Sequence, residues 1–173
     1  MEQPAAGFIS KHFGAQRSYT GTQSKEFALE VNLPSQPFSG PFNIRVMNGP
    51  DSRHLYLGAA GGSSGYYLAS GQLGSAYLAS TGMTIADSPP SSSTGPSLQA
   101  LGYTAPAESQ IWSMDCKTWG IKAQWTNSDA SQPPTTVFYD PAVDFLGITA
   151  DLDVYNGNFA EDAFSVTFTF VPL

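Results

Sequence analysis

The sequence predicts an all-β protein of antiparallel strands, on three observations. Charged residues make up only 12% of the 173, while Gly, Ser, Thr and aromatic residues are abundant; ordinary globular chains carry about a quarter charged. Short stretches alternate apolar and polar residues at the period of two that a half-buried strand requires, and Gly-, Pro-, Asn- and Ser-rich turns separate them. No long Ala-, Leu-, Glu- and Lys-rich run is present, so no helix is expected. About a dozen short strands joined by turns give a sandwich or a closed barrel.

Residues 1–25 mix Gly, Gln, Ser and Thr with Phe8, Phe13 and Tyr19 at no fixed period, and read as an N-terminal arm that packs through its aromatic rings. Residues 26–173 then form one all-β domain. In residues 26–33, Phe27, Leu29, Val31 and Leu33 share a face opposite Glu26, Glu30 and Asn32, and Pro34 ends the strand. Phe42, Ile44 and Val46 alternate with Asn43, Arg45 and Met47 before Asn48-Gly49-Pro50-Asp51 turns the chain.

The stretch that follows carries Tyr56-Leu57, Tyr67-Leu68 and Tyr77-Leu78, at steps of eleven and ten positions. Adjacent residues of a strand face opposite ways, so the leucines are expected in the core and Tyr56, Tyr67 and Tyr77 on the other face, as a stripe across neighbouring strands. Residues 87–97, DSPPSSSTGPS, read as an exposed loop, because consecutive prolines donate no backbone hydrogen bonds and serines bury little. Strands resume at residues 98–103, 110–116 and 119–125. In the last of these, Trp119, Ile121, Ala123 and Trp125 share a face, which puts both tryptophans in the core. Residues 136–139 and 143–149 flank Asp140-Pro141. The closing strand alternates Phe164, Val166, Phe168 and Phe170 with Ser165, Thr167 and Thr169.

Composition narrows the function classes. A chain of this length buries roughly 70% of its unfolded surface and needs no disulfide. The lone Cys116 has no partner, and it reads as a plain strand residue. A net charge of −7 with seven Lys and Arg supplies no basic stripe for nucleic acid or for an anionic membrane surface. No apolar run is long enough for a membrane span, and no signal peptide is recognisable, so the chain as given reads as cytoplasmic. The alternative is a secreted protein whose signal was replaced by Met1.

Catalytic and metal motifs are sparse. His12 and His54 lie apart, with no nucleophile-elbow, HExxH or phosphate-loop pattern beside them. Asp140, Asp144, Asp151, Asp153, Glu161 and Asp162 form the main acidic concentration, and paired carboxylates are what glycoside hydrolysis requires. Residues 151–158, DLDVYNGN, begin like a calcium loop but place Tyr155 and Asn156 where the fifth and sixth loop positions need Asp or Asn and then Gly. A solvated turn is the expectation, with no metal and no cofactor.

Two segments resemble the β-trefoil lectins of the ricin-B type and, more loosely, the fungal trefoil protease inhibitors called mycocypins. Residues 42–46, a polar turn and Leu55-Tyr56-Leu57 look like the first two strands of a trefoil unit, and Gln110-Ile111-Trp112 matches the Gln-X-Trp motif at the end of such a unit. The resemblance implies a β-trefoil-like barrel, with a β-sandwich or jelly roll as the alternative. In those lectins an Asp between the first two strands of a unit binds sugar hydroxyls, which corresponds by position to Asp51, and in a second unit to Asn127 or Asp129. The expected function is a non-enzymatic, lectin-like domain that binds carbohydrate through Tyr56, Tyr67, Tyr77, Asp51, Asn127 and Asp129. The alternative is a structural or inhibitor-like protein whose loops hold a protein partner; a glycoside hydrolase is third.

Overall fold

A computed structural model describes residues 6–35, 40–62, 65–94, 96–102, 105–159 and 162–172. The strands in chain order are β1 (Phe8–Phe13), β2 (Tyr19–Thr22), β3 (Val31–Asn32), β4 (Ile44–Val46), β5 (Tyr56–Gly61), β6 (Ser75–Thr81) and β7 (Ala107–Glu108). They continue with β8 (Trp112–Asp115), β9 (Gly120–Ala123), β10 (Thr136–Asp140), β11 (Phe145–Thr149), β12 (Phe164–Ser165) and β13 (Phe168–Thr169). One helix, α1, spans Leu152–Asn158. The fold is all-β, and every strand pairing is antiparallel.

The main sheet has eight strands in the order β12-β10-β11-β6-β5-β4-β3, with β7 also on β5, and curls into a half-barrel. Its concave face holds the main core. Leu57, Ala59, Ala76, Leu78, Leu146 and Ile148 meet Trp112 and Ile111 from β8 and its approach, Trp125, and Leu68 from the β5–β6 connection. The second sheet, β13-β9-β8, covers this core on one side. The alternation read at Phe42, Ile44 and Val46 is reproduced, since all three are buried.

The C-terminal strand is divided between the two sheets. Phe164 pairs with Tyr139 in the large sheet, and Phe168 with Ile121 in the small one, while Ser165, Thr167 and Thr169 stay exposed. One alternating stretch therefore ties the sheets together at their corner.

Of the residues read as an arm, Phe8–Phe13 and Tyr19–Thr22 pair as the β1–β2 hairpin, and Tyr19 is fully buried with its hydroxyl 2.6 Å from that of Ser80. Several other expectations are corrected. Of residues 26–33 only Val31–Asn32 pair as a strand; Lys25–Phe27 make a 3₁₀ turn that leaves Phe27 exposed. The 87–97 loop is exposed only in part: Ser97 is buried and donates to Arg17 O at 2.8 Å, and Leu98 just beyond the loop packs with Ala60, Ala79 and Ala107 on the convex face. Residues 98–103 were expected to be a strand, but Ser97–Leu101 form a 3₁₀ turn and Tyr103 lies outside the described residues. Cys116 is exposed in the β8–β9 turn rather than within a strand.

Trp125 is in the core, but Trp119 is not. It sits at the β8–β9 turn with φ at 58°, a conformation costly for a bulky side chain, and its exposed ring stacks on Phe170 at 5.9 Å. Close approach of backbones fixes Gly58. A Cβ there would collide with the Glu108 carbonyl and lie 2.7 Å from Thr81 Oγ1, so β7 can lie against β5 only because no side chain intervenes. Among the described residues, no helix is long and apolar enough to cross a membrane.

Candidate functional site

The tyrosine stripe does not form. Leu57, Leu68 and Leu78 are all buried as expected, but only Tyr56 and Tyr77 lie on strands. They share the convex face at opposite ends of the β5–β6 hairpin, with Tyr56 opposite Thr81 and Tyr77 opposite Ala60. Tyr67 belongs to the connection between them, because the Gly-rich run after β5 ends the strand before the second Tyr-Leu pair is reached. That connection is anchored by Leu68.

Asn127 supplies the anchor's partner. Its side chain, 1% exposed, accepts from Leu68 N at 2.8 Å and donates to Leu68 O at 2.8 Å and to Ser131 Oγ at 3.0 Å. The amide thus copies a strand pairing and has no spare donor. Replacing Asn127 by Ala strands a buried N–H and a carbonyl, each at ~1–3 kcal/mol. A thermal melt of Asn127→Ala should show a loss of roughly 2–4 kcal/mol, whereas an amide serving only a ligand would cost almost nothing.

Asp129 and Tyr67 do meet, on the surface. The Tyr67 hydroxyl donates to Asp129 Oδ2 at 2.8 Å, and Ser131 donates to Oδ1 from both its amide and its hydroxyl. The hydrogen bond from the Ser131 hydroxyl holds the carboxyl below its ordinary pKa, with help from the Ser131 amide and Tyr67. Asp51 closes the β4–β5 turn instead. It accepts from the amides of Arg53 and His54 and lies 2.7 Å from His54 Nδ1. Burial opposes its charge, but the His54 and Arg53 hydrogen bonds outweigh burial and lower its pKa. Among the described residues, the hydrogen bonds of Asp51 are local to the turn, the arrangement that favours Asp there on backbone grounds.

A concave site lies elsewhere, at the β10–β11 turn on the convex face. Gln16, Ser75, Tyr77, Asp140, Val143, Phe145, Tyr155 and Phe159 line a pocket of about 160 Å³. Ligand pockets for drug-sized molecules run to about 300–1,000 Å³, so this one suits a single small ring. Its floor is Asp140, 2% exposed, which accepts from Ala142 N at 2.9 Å and from the Tyr155 hydroxyl at 2.8 Å. Burial and the Asp140 contact both raise the Tyr155 pKa, so this phenol keeps its proton. Phe145 lies edge-on to Tyr77 at 4.7 Å, and Phe159 stands half-exposed at the rim, 5.5 Å from Tyr155.

Helix α1 carries Tyr155 and ends beside Phe159. It replaces the solvated turn expected from residues 151–158. Asp151 caps it by accepting from Val154 N at 3.1 Å and reaches Gly71 N with its other oxygen, and Tyr155 packs on Phe138 at 4.6 Å. The Asp151-x-x-Val154 spacing was the available signal for this helix. Gln16 reaches the pocket from the β1–β2 turn, where Gly14 packs against the Asp144 backbone so closely that a Cβ would meet its carbonyl at 2.6 Å, and Asp144 accepts from Thr20 of β2 and from Tyr139. Of the acidic concentration, Asp140 lines the pocket, Asp144 and Asp151 make these structural contacts, and Glu161 lies outside the described residues. Among the described residues, no group of three or more His, Cys, Asp or Glu is placed to hold a metal ion.

A second buried acidic group, Glu108, lies on β7. It is 2% exposed, and its carboxyl meets the Thr126 amide at 3.2 and 3.3 Å. Burial pushes its pKa up to about 8; the Thr126 amide opposes this in part, and the charge of Asp87 adds to it. Compared with known proteins, the chain matches no family model, no curated relative and no solved structure.

Proposed function

We propose that the chain is a non-enzymatic binding domain that takes carbohydrate in the pocket at the β10–β11 turn. The observation that carries this reading is the pocket's lining: aromatic rings from Tyr77, Phe145, Tyr155 and Phe159 beside polar groups from Gln16, Ser75 and Asp140. Sugar rings need both, since their C–H faces pack on aromatic surfaces while their hydroxyls require hydrogen-bond partners. Tyr77 is the residue that the sequence expectation and this pocket share. Asp140 is the one carboxylate among the lining residues described, and glycoside hydrolysis uses two, so the lining supports holding a sugar better than cleaving one.

The finer fold expectation, a β-trefoil-like barrel akin to the ricin-B lectins, belongs to the same proposal. It is supported by the Gln-X-Trp segment, in which Gln110 donates to Pro41 O at 2.9 Å and Trp112 is fully buried. The test is binding to immobilised glycans by the wild type and by Phe159→Ala. The rim ring is 54% exposed, so its loss should leave folding within about 1 kcal/mol of the wild type. Binding should fall at least tenfold; a folded wild type that holds no glycan would overturn the reading.

One observation favours the second reading, a domain whose loops hold a protein. Met83 and Ile85 are 65% and 76% exposed, and they flank Thr84, which is fixed by the Ser109 hydroxyl on its amide and by the Ser109 and Gln110 amides on its Oγ1. A rigid extended segment with two apolar side chains outward suits a protein surface. Inhibition of a panel of proteases on mixing, abolished by Met83→Asp, would favour it.

A further inference from the structure

The hydrogen-bond polarity of the pocket floor constrains the ligand further. Tyr155, which lines the pocket, donates its proton to Asp140 Oδ2, so its oxygen has only acceptor capacity left. Asp140 Oδ1 is engaged by the Ala142 amide, and a carboxylate with two donors on it still has acceptor capacity on both oxygens. The floor thus offers acceptors and a negative charge. No Lys or Arg stands among the described lining residues, and the chain as a whole carries −7.

From this arrangement we infer that the pocket selects a single sugar ring carrying an ammonium group, takes the neutral ring less well, and rejects the same ring carrying a carboxylate. The inference rests on the sugar-binding reading above. An ammonium brings three donors and the opposite charge to acceptors that are withdrawn from water, where attraction is strengthened. A ring carboxylate brings only acceptors to the same floor and a like charge against Asp140, and no cation stands among the described lining residues to offset that charge. A hydroxyl matches the floor by hydrogen bonding alone. The volume of about 160 Å³ admits one ring, so the group that is read is the one on the terminal residue of a chain.

The experiment is calorimetric titration of the wild type with glucosamine, glucose and glucuronic acid at pH 6, repeated with Asp140→Asn and Phe159→Ala. The expected order is glucosamine, then glucose, then glucuronic acid, each step at least tenfold. Asp140→Asn should compress the span to within about threefold, while Phe159→Ala should weaken every ligand that binds and leave their ratios unchanged. Glucuronic acid bound as tightly as glucose by the wild type would overturn the charge selection and leave sugar binding standing. Binding of none of the three would overturn both. Equal ratios in the wild type and a folded Asp140→Asn would remove Asp140 as the group that reads the ligand.

Discussion

Trp112→Ala should abolish folding or leave a protein that melts far below the wild type. The indole is fully buried in the main core, donates from Nε1 to Leu57 O at 2.7 Å, and lies 6.2 Å from the Phe168 ring. Its backbone bridges Phe42 and pairs with Ala123, so one residue joins the small sheet, the segment leading into β4, and the centre of the half-barrel. Truncating a core Trp costs ~3–5 kcal/mol, and the cavity remains because the curled sheet cannot collapse onto it. Domains hold only about 5–15 kcal/mol in total, so urea unfolding should show a midpoint shifted by a large part of its range. A loss below about 1 kcal/mol would mean that the two sheets are not joined through this side chain.

A second large effect is expected from Glu108→Gln, and it depends on pH. In the folded chain burial keeps the carboxyl protonated up to about 8, against an ordinary value of 4.5. Between those values the folded state binds more protons than the unfolded one, so raising the pH favours unfolding. The stability associated with this proton is fully present below about 4.5, is lost as the pH rises toward 8, and changes no further above it. The loss is on the order of several kcal/mol. Gln keeps an acceptor for the Thr126 amide and cannot ionise. Chemical denaturation between pH 5 and 9 should therefore give curves that diverge, with the variant more stable by a few kcal/mol at the alkaline end. Parallel curves would show that the Glu108 carboxyl is hydrated in the native state.

Strand content was legible wherever burial alone decides a side chain's direction. Phe42, Ile44 and Val46, Leu57 and Leu78 of the Tyr-Leu pairs, and the alternation from Phe164 to Phe170 all follow the period of two. What the period cannot convey is where a strand ends. Tyr67 fits a strand by its spacing, but the connection there is held by Asn127 from a segment 59 residues away, a contact with no local trace. Trp119 likewise fits its strand's alternation, yet the left-handed conformation at the hairpin turn directs it out of the core.

Helix α1 was missed for a different reason. Seven residues containing Val154, Asn156 and Gly157 have poor intrinsic helicity, and the Asp151 cap and the packing of Tyr155 on Phe138 supply what propensity lacks. The pocket was illegible as a result, since it needs α1 to bring Tyr155 and Phe159 to Asp140. Glu108 did leave a signal. It is the one charged residue between Asp87 and Asp115, and a lone acid within an uncharged strand-forming stretch is a candidate for burial.

The measurement that bears most directly on sugar binding at the β10–β11 turn is a two-dimensional amide NMR titration with glucosamine. Shifts should concentrate at Gln16, Ser75, Tyr77, Val143 and Phe159, the residues around the pocket, while Asp51, Tyr67 and Asp129 stay unmoved. Shifts centred on Tyr67 and Asp129, or none at millimolar sugar, would contradict it.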